Sequence, residues 1–133
     1  VHEKILKVTD SKRLKVYFVW TAVLPGDTRK VAEETVREVP DERATHFWDK
    51  DRSLGLAFAQ VVSLPGDWEL AWDVYFAYDA KKKWGNNPPA PTDWMHQLGR
   101  DRRWFDATKL RVVVEELLAG IPCAPKSGPV NGR

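Results

Sequence analysis

Cysteine is almost absent from this chain: the single one, Cys123, allows no intramolecular disulfide and no zinc site built from thiolates. Long apolar runs are missing too. Nothing approaches the roughly 20 residues that cross a bilayer, and no signal peptide is present. Charge of one sign is not concentrated either. The 21 basic and 19 acidic residues leave a net +2, too balanced for a nucleic-acid footprint. Lys81-Lys82-Lys83 is the densest basic run and reads as a solvated turn. No Gly-rich phosphate loop, Gly-x-Ser-x-Gly elbow or His-Glu-x-x-His helix occurs. What is plentiful is tryptophan, seven in 133 residues with 43% hydrophobic content. That suffices for one soluble folded domain with a core. The tryptophans can stiffen that core or line a groove.

Apolar periodicity divides the chain into alternating elements. Val1, Ile5 and Val8 share a helical face, read as the end of a longer helix. Leu14 to Trp20 is almost wholly apolar and rich in β-formers, suited to a central parallel strand covered on both faces. Asp27 is placed to cap a helix over 28–39 carrying Val31, Ala32, Thr35, Val36 and Val39 inward. Ala44 to Trp48 forms a short strand. Ser53 is the expected cap of a helix burying Leu54, Ala57, Phe58, Val61 and Val62. Ala71 to Tyr78 is the second strong strand, expected to turn back in a hairpin onto Lys83-Trp84. Pro88, Pro89 and Pro91 make a loop, and Asp93 to Leu98 is expected as a helical turn. Asp106 caps the last helix, with Leu110, Val113, Val114, Leu117 and Leu118 inward, and Gly120 and Pro122 end it. The domain therefore spans 1–122, followed by a flexible tail over 123–133. Strands alternating with helices, then a hairpin, then a helix, imply an α/β domain.

That order resembles the thioredoxin superfamily, above all its thiol-disulfide oxidoreductase and peroxiredoxin-like branches. The buried strand ending in a loop at Trp20, the segment His46 to Ala57 and the strand Val74 to Asp79 carry the likeness. The stretch Pro88 to His96 is similar to one in thioredoxin-like bacterial proteins. The resemblance implies a three-layer sandwich, a mixed sheet flanked by helices, N-terminally incomplete. It implies a bacterial thiol-disulfide redox protein whose C-x-x-C lies upstream of Val1, with a protein or peptide thiol as substrate. It implies a cis-proline before the third core strand, yet Trp72 and Asp73 stand there. The alternative is a non-enzymatic binding or assembly module on the same fold. In that fold a strand lies between Leu14–Trp20 and Ala71–Tyr78. Its place is expected to be closed by direct antiparallel pairing or by a strand donated from elsewhere, for example in a homodimer.

Site candidates are few. Trp20, Thr21, Trp72 and Asp73 are the groove candidates, expected at one functional sheet edge. Asp73, if buried, has a raised pKa and suits acid–base work; in a strand-edge loop its carboxylate is simply solvated. His46, Asp49 and Asp51 do not share a strand face, because His46 and Asp49 differ in parity. Asp49 to Asp51 reads instead as a turn with helix-capping charge. Cys123 follows a helix C-terminus, where the dipole disfavours a thiolate. No cofactor, metal, nucleic acid or membrane span is expected, and this chain carries no complete catalytic motif.

Overall fold

The computed structural model describes residues 1–120. It opens in a π-helical turn, His2–Leu6. Ile5 and Leu6 both donate backbone N–H groups to the Val1 carbonyl. A π turn holds more residues than an α turn, so the inward pair becomes Ile5 and Leu6, and Val8 rotates out to 52% exposure. The expected face of Val1, Ile5 and Val8 presumed a 3.6-residue turn.

Strand β1 (Val16–Thr21), helix α1 (Arg29–Val36) and strand β2 (Ala44–Asp49) form a β-α-β unit. The strands pair in parallel, from Val16 opposite Ala44 to Thr21 opposite Asp49, as the sequence predicts. Thr28, not Asp27, caps α1, accepting the Val31 N–H at 3.3 Å. Asp27 stands one residue too early. Its carboxylate accepts the Val23 and Leu24 N–H groups at 2.9 and 2.7 Å and closes the Pro25-Gly26 loop.

The entry to β2 is pinned by Arg43. Its guanidinium grips the Asp41 carboxylate at 2.6 and 2.9 Å and donates to the carbonyls of Leu6, at the end of the π turn, and Thr9, just beyond it. The pair holds the Asp41 carboxyl at about 2, through hydrogen bonds from the Arg43 side chain and backbone.

Helix α2 (Ser53–Ala59) follows. Arg52 holds the cap position in the left-handed region, φ 60°, and Asp49 supplies the capping oxygens. The Asp49 carboxylate accepts from Leu54 N at 3.0 Å, Gly55 N at 3.1 Å and the Ser53 hydroxyl at 3.2 Å. Ser53 is thus inside the helix rather than its cap, and the reading of 49–51 as a capping turn holds.

Strand β3 (Val74–Ala77) pairs antiparallel with β4 (Asp93–His96), Val74 opposite His96 and Ala77 opposite Asp93. The hairpin does not close on Lys83-Trp84, and 93–96 is strand rather than helical turn. The cause is tertiary. All four β4 residues are buried, so this short segment is governed by what it packs against rather than by local turn propensity. The far edge of β4 is covered as well: His96 donates to the Arg103 carbonyl and accepts from the Phe105 N–H. His96 is wholly buried, its Nδ1 accepting the Leu98 N–H at 3.2 Å. Its Nε2 lies 3.1 Å from Asp101 Oδ1, without hydrogen-bond alignment.

Helix α3 (Ala107–Ala119) begins as expected, with Asp106 accepting from Thr108 N and Lys109 N. It ends at Gly120, φ 73°, where glycine adopts the left-handed cap without strain. Ile5, Ala77, Met95, Leu110 and Val113 form the core, between the π turn, α3 and one face of β3–β4. On the opposite face Phe58 of α2 stacks on Phe76 at 4.6 Å.

The chain is a mixed α/β fold, but its strands make two two-stranded sheets, β1–β2 and β3–β4. Among the described residues β1 and β3 neither pair nor flank a common strand, so the expected closure of that place is not seen. Nor is β1 covered on both faces: Tyr17 is 63% exposed and Val19 36%. The expected tail, 123–133, lies outside the described residues.

Candidate functional site

A parallel pair places residues of equal parity on one face. The register puts Val16, Phe18, Trp20, Ala44, His46 and Trp48 on the inner face of β1–β2. All are half-buried. Three of their rings stack: Phe18 on His46 at 4.9 Å and 9°, and Trp20 on His46 at 6.1 Å and 8°. The Trp20 Nε1–H donates to His46 Nδ1 at 3.2 Å. That bond requires a neutral imidazole protonated on Nε2. Burial also pushes the His46 pKa down, which favours the same state.

The outer face holds Tyr17, Val19, Thr45 and Phe47, with Lys15 at its rim. Tyr17 and Phe47 lie diagonally across the pair, ring centroids 6.2 Å apart. Phe47 is 50% exposed. The run from Leu14 to Trp20, apolar but for Lys15, hid this face. Its signal was the parity of Lys15 and Thr45, two polar residues in register with Tyr17 and Phe47.

Thr21 ends β1, opposite Asp49. Trp72 and Asp73 stand before β3, in the other sheet. Trp72 packs edge-on against Trp68 at 5.5 Å, and its Nε1–H is buried without an acceptor among the described residues. Asp73 is exposed, in the left-handed region at φ 48°. Its carbonyl accepts the Gln97 N–H. Partial desolvation pushes its carboxyl pKa up. Nearby, the Tyr75 hydroxyl donates to Gln97 Oε1, and burial together with the Asp73 charge raises the tyrosine pKa. Among the described residues no hydrogen bond or ring contact joins Trp20 and Thr21 to Trp72 and Asp73. The four candidates therefore form two clusters.

The chemistry within reach is limited. Asp49 is engaged by the amides of α2 and His46 by Trp20. Among the described residues no three His, Cys, Asp or Glu side chains gather as metal ligands. No described helix is long and apolar enough to cross a membrane. A shallow depression of about 250 Å³ on α3, lined by Thr108, Lys109, Val112, Val113 and Glu116, is open and mostly apolar. The arrangement best equipped to hold a partner is the β1–β2 pair, with rings on both faces. Comparison with known proteins finds no matching family model, no matching curated protein and no matching solved structure.

Proposed function

We propose that this chain is a binding or assembly module rather than a catalyst, with the outer face of β1–β2 as its recognition surface. The observation that carries this reading is the exposure of Tyr17, Val19 and Phe47 on one face of a parallel pair. Parallel strands are almost always covered on both faces, and adjoining exposed apolar side chains mark interaction surfaces. The patch has two rings, a β-branched side chain and no charge within it. It suits an apolar stretch of protein or peptide.

A thioredoxin-like scaffold is part of the proposal. The order β-α-β, helix, β-β-α supports it, as do the parallel first pair and antiparallel second pair. On this reading thiol–disulfide exchange with a protein or peptide thiol belongs to a C-x-x-C upstream in a longer bacterial parent. This domain then contributes scaffold and substrate-facing surface.

Peptides selected from a random display library against the immobilised chain test the reading. The expected binders are extended and rich in aromatic residues. Phe47→Lys and Tyr17→Lys each weaken them by about tenfold or more, and Trp84→Ala leaves them unchanged. Equal affinity for all three variants removes the outer face as the site. Losses confined to Trp20→Ala and Trp72→Ala transfer it to those tryptophans.

A further inference from the structure

We infer that loop 80–87 docks this chain on an anionic lipid surface, with Lys81, Lys82 and Lys83 meeting the headgroups and Trp84 entering the interface beneath them. The loop lies in the connection 78–92 between β3 and β4. At about 15 residues that connection is far longer than most, and long connections are commonly functional. Its base is pinned. The Asp79 N–H donates to Thr92 Oγ1 at 3.1 Å, the Lys82 N–H returns to the Asp79 carbonyl at 3.0 Å, and the Tyr78 hydroxyl donates to the Pro89 carbonyl at 3.2 Å. Trp84 packs edge-on with Phe58 at 6.1 Å and against Tyr78 at 5.1 Å. Beyond that base every residue from Ala80 to Asn87 is exposed, so the loop projects into solvent.

Its charge is unopposed. No acid occurs from Ala80 to Thr92, and Asp79 Oδ1 accepts the Lys81 N–H at 2.7 Å. Among the described residues no carboxylate makes an ion pair with Lys81, Lys82 or Lys83. The other basic stretches differ. Lys12, Arg13 and Lys15 follow Asp10, and Arg43, bonded to the Thr9 and Ser11 carbonyls, brings Asp41 against the same segment. Arg100, Arg102 and Arg103 surround Asp101 in the chain, and Arg103 is paired with Asp93. Tryptophan exposure selects the same loop. Trp84 is 56% exposed, while Trp68, also exposed, stands between Asp67 and Glu69.

Shape and cation type select a lipid surface among anions. Lysine is a hydrated point charge without the planar fork that reads a single phosphate or carboxylate. Successive lysines suit a continuous anionic field, in which each raises affinity by about fivefold. A nucleic-acid strand is tracked by a groove with a series of stacking rings. Loop 80–87 is instead an exposed apex with one ring. Tryptophan beside lysine fits the interface, the ring at headgroup level and the ammonium groups in water.

Co-sedimentation of the 133-residue chain with phosphatidylcholine vesicles containing about 30% phosphatidylserine tests this. Partition into these vesicles is expected, and little into phosphatidylcholine alone. It falls as added salt shortens the screening length from about 10 Å at 0.1 M to about 3 Å at 1 M. Replacing Lys81, Lys82 and Lys83 together by glutamine lowers partition about a hundredfold. The matched triple Lys12→Gln, Arg13→Gln and Lys30→Gln removes the same charge from other exposed positions and changes it less than about fivefold. Circular dichroism checks that both triples keep the wild-type fold. If either does not, fluorescence decides: the difference between wild type and Trp84→Phe is expected to shift to shorter wavelength on adding the phosphatidylserine vesicles. Absence of partition, equal partition without phosphatidylserine, equal losses in the two triples, or a Trp84 signal that does not shift overturns the inference. So does tighter binding to an oligothymidylate strand or to polyglutamate than to the vesicles.

Discussion

His46 accepts a hydrogen bond at Nδ1, so the Trp20 contact lasts only while the imidazole is neutral. Burial lowers the pKa of His46. The unfolded chain therefore takes up this proton first, near pH 6.5. The contribution to stability is complete above that value and declines as pH falls through the lower folded pKa. Tryptophan fluorescence of the wild type is expected to change over the range below pH 6.5, and His46→Phe to remove that component. A profile unchanged by the substitution would show that the bond is not formed. The Asp41–Arg43 pair behaves as a depressed carboxylate. Its contribution is full above pH 3.8 and is lost as pH falls through about 2. Asp41→Asn removes it, so acid unfolding followed by circular dichroism should begin at higher pH in the variant. Arg43 was not singled out in the sequence, since one arginine among many basic residues gives no local sign of a carbonyl clamp 34 and 37 residues away.

Among the elements, α2 shows most clearly how a local signal misleads. Ser53 is a standard cap residue standing at the start of an apolar stripe. The amides are nevertheless held by Asp49, from the end of β2. Asp49→Ala is expected to cost about 1 kcal/mol and Ser53→Ala clearly less, by urea unfolding; the reverse ranking would return the cap to Ser53. Gly55 on the same helix is buried, and an added Cβ would lie 2.7 Å from Leu70 Cδ1 and 3.2 Å from the Ala71 carbonyl oxygen. The Ala71 N–H donates to the Gly55 carbonyl, so the backbone there has little room to retreat. Alanine gains about 1 kcal/mol of helix propensity against about 1–3 kcal/mol of overpacking. A net loss of about 1 kcal/mol is expected for Gly55→Ala. Truncating Leu70 to alanine should be milder in that background than in the wild type. Equal costs in both backgrounds would mean that Leu70 is not the obstacle.

At the scale of the molecule, the core lies between α3, the π turn and β3–β4, while β1–β2 keeps an open face. Thiol chemistry can be assayed on the whole chain. With a single cysteine, a dithiol cycle has no resolving partner, and purified chain should show no turnover in insulin reduction. Turnover that survives Cys123→Ser would direct attention to Asp73, whose raised carboxyl pKa is the clearest acid–base feature at either cluster. Cys123 itself lies outside the described residues.

Much of the element order was legible beforehand, and the reasons are local. β1 and β2 are runs of β-formers joined by a helix, so their parallel pairing follows from short-range pattern. Asp106 and Gly120 bracket α3 because caps act within one turn. Sequence also determined that thiol chemistry here has one cysteine to draw on. Tertiary structure alone decided three other things. β4 became a strand because burial of all four residues outweighed their weak local preference. Trp20 and Trp72 fell into separate clusters because a two-residue pattern carries no information about which sheet it will join. The exposure of the outer face of β1 was decided by the pairing with Thr45 and Phe47, since within the run itself Lys15 alone marks the parity of the side that faces water.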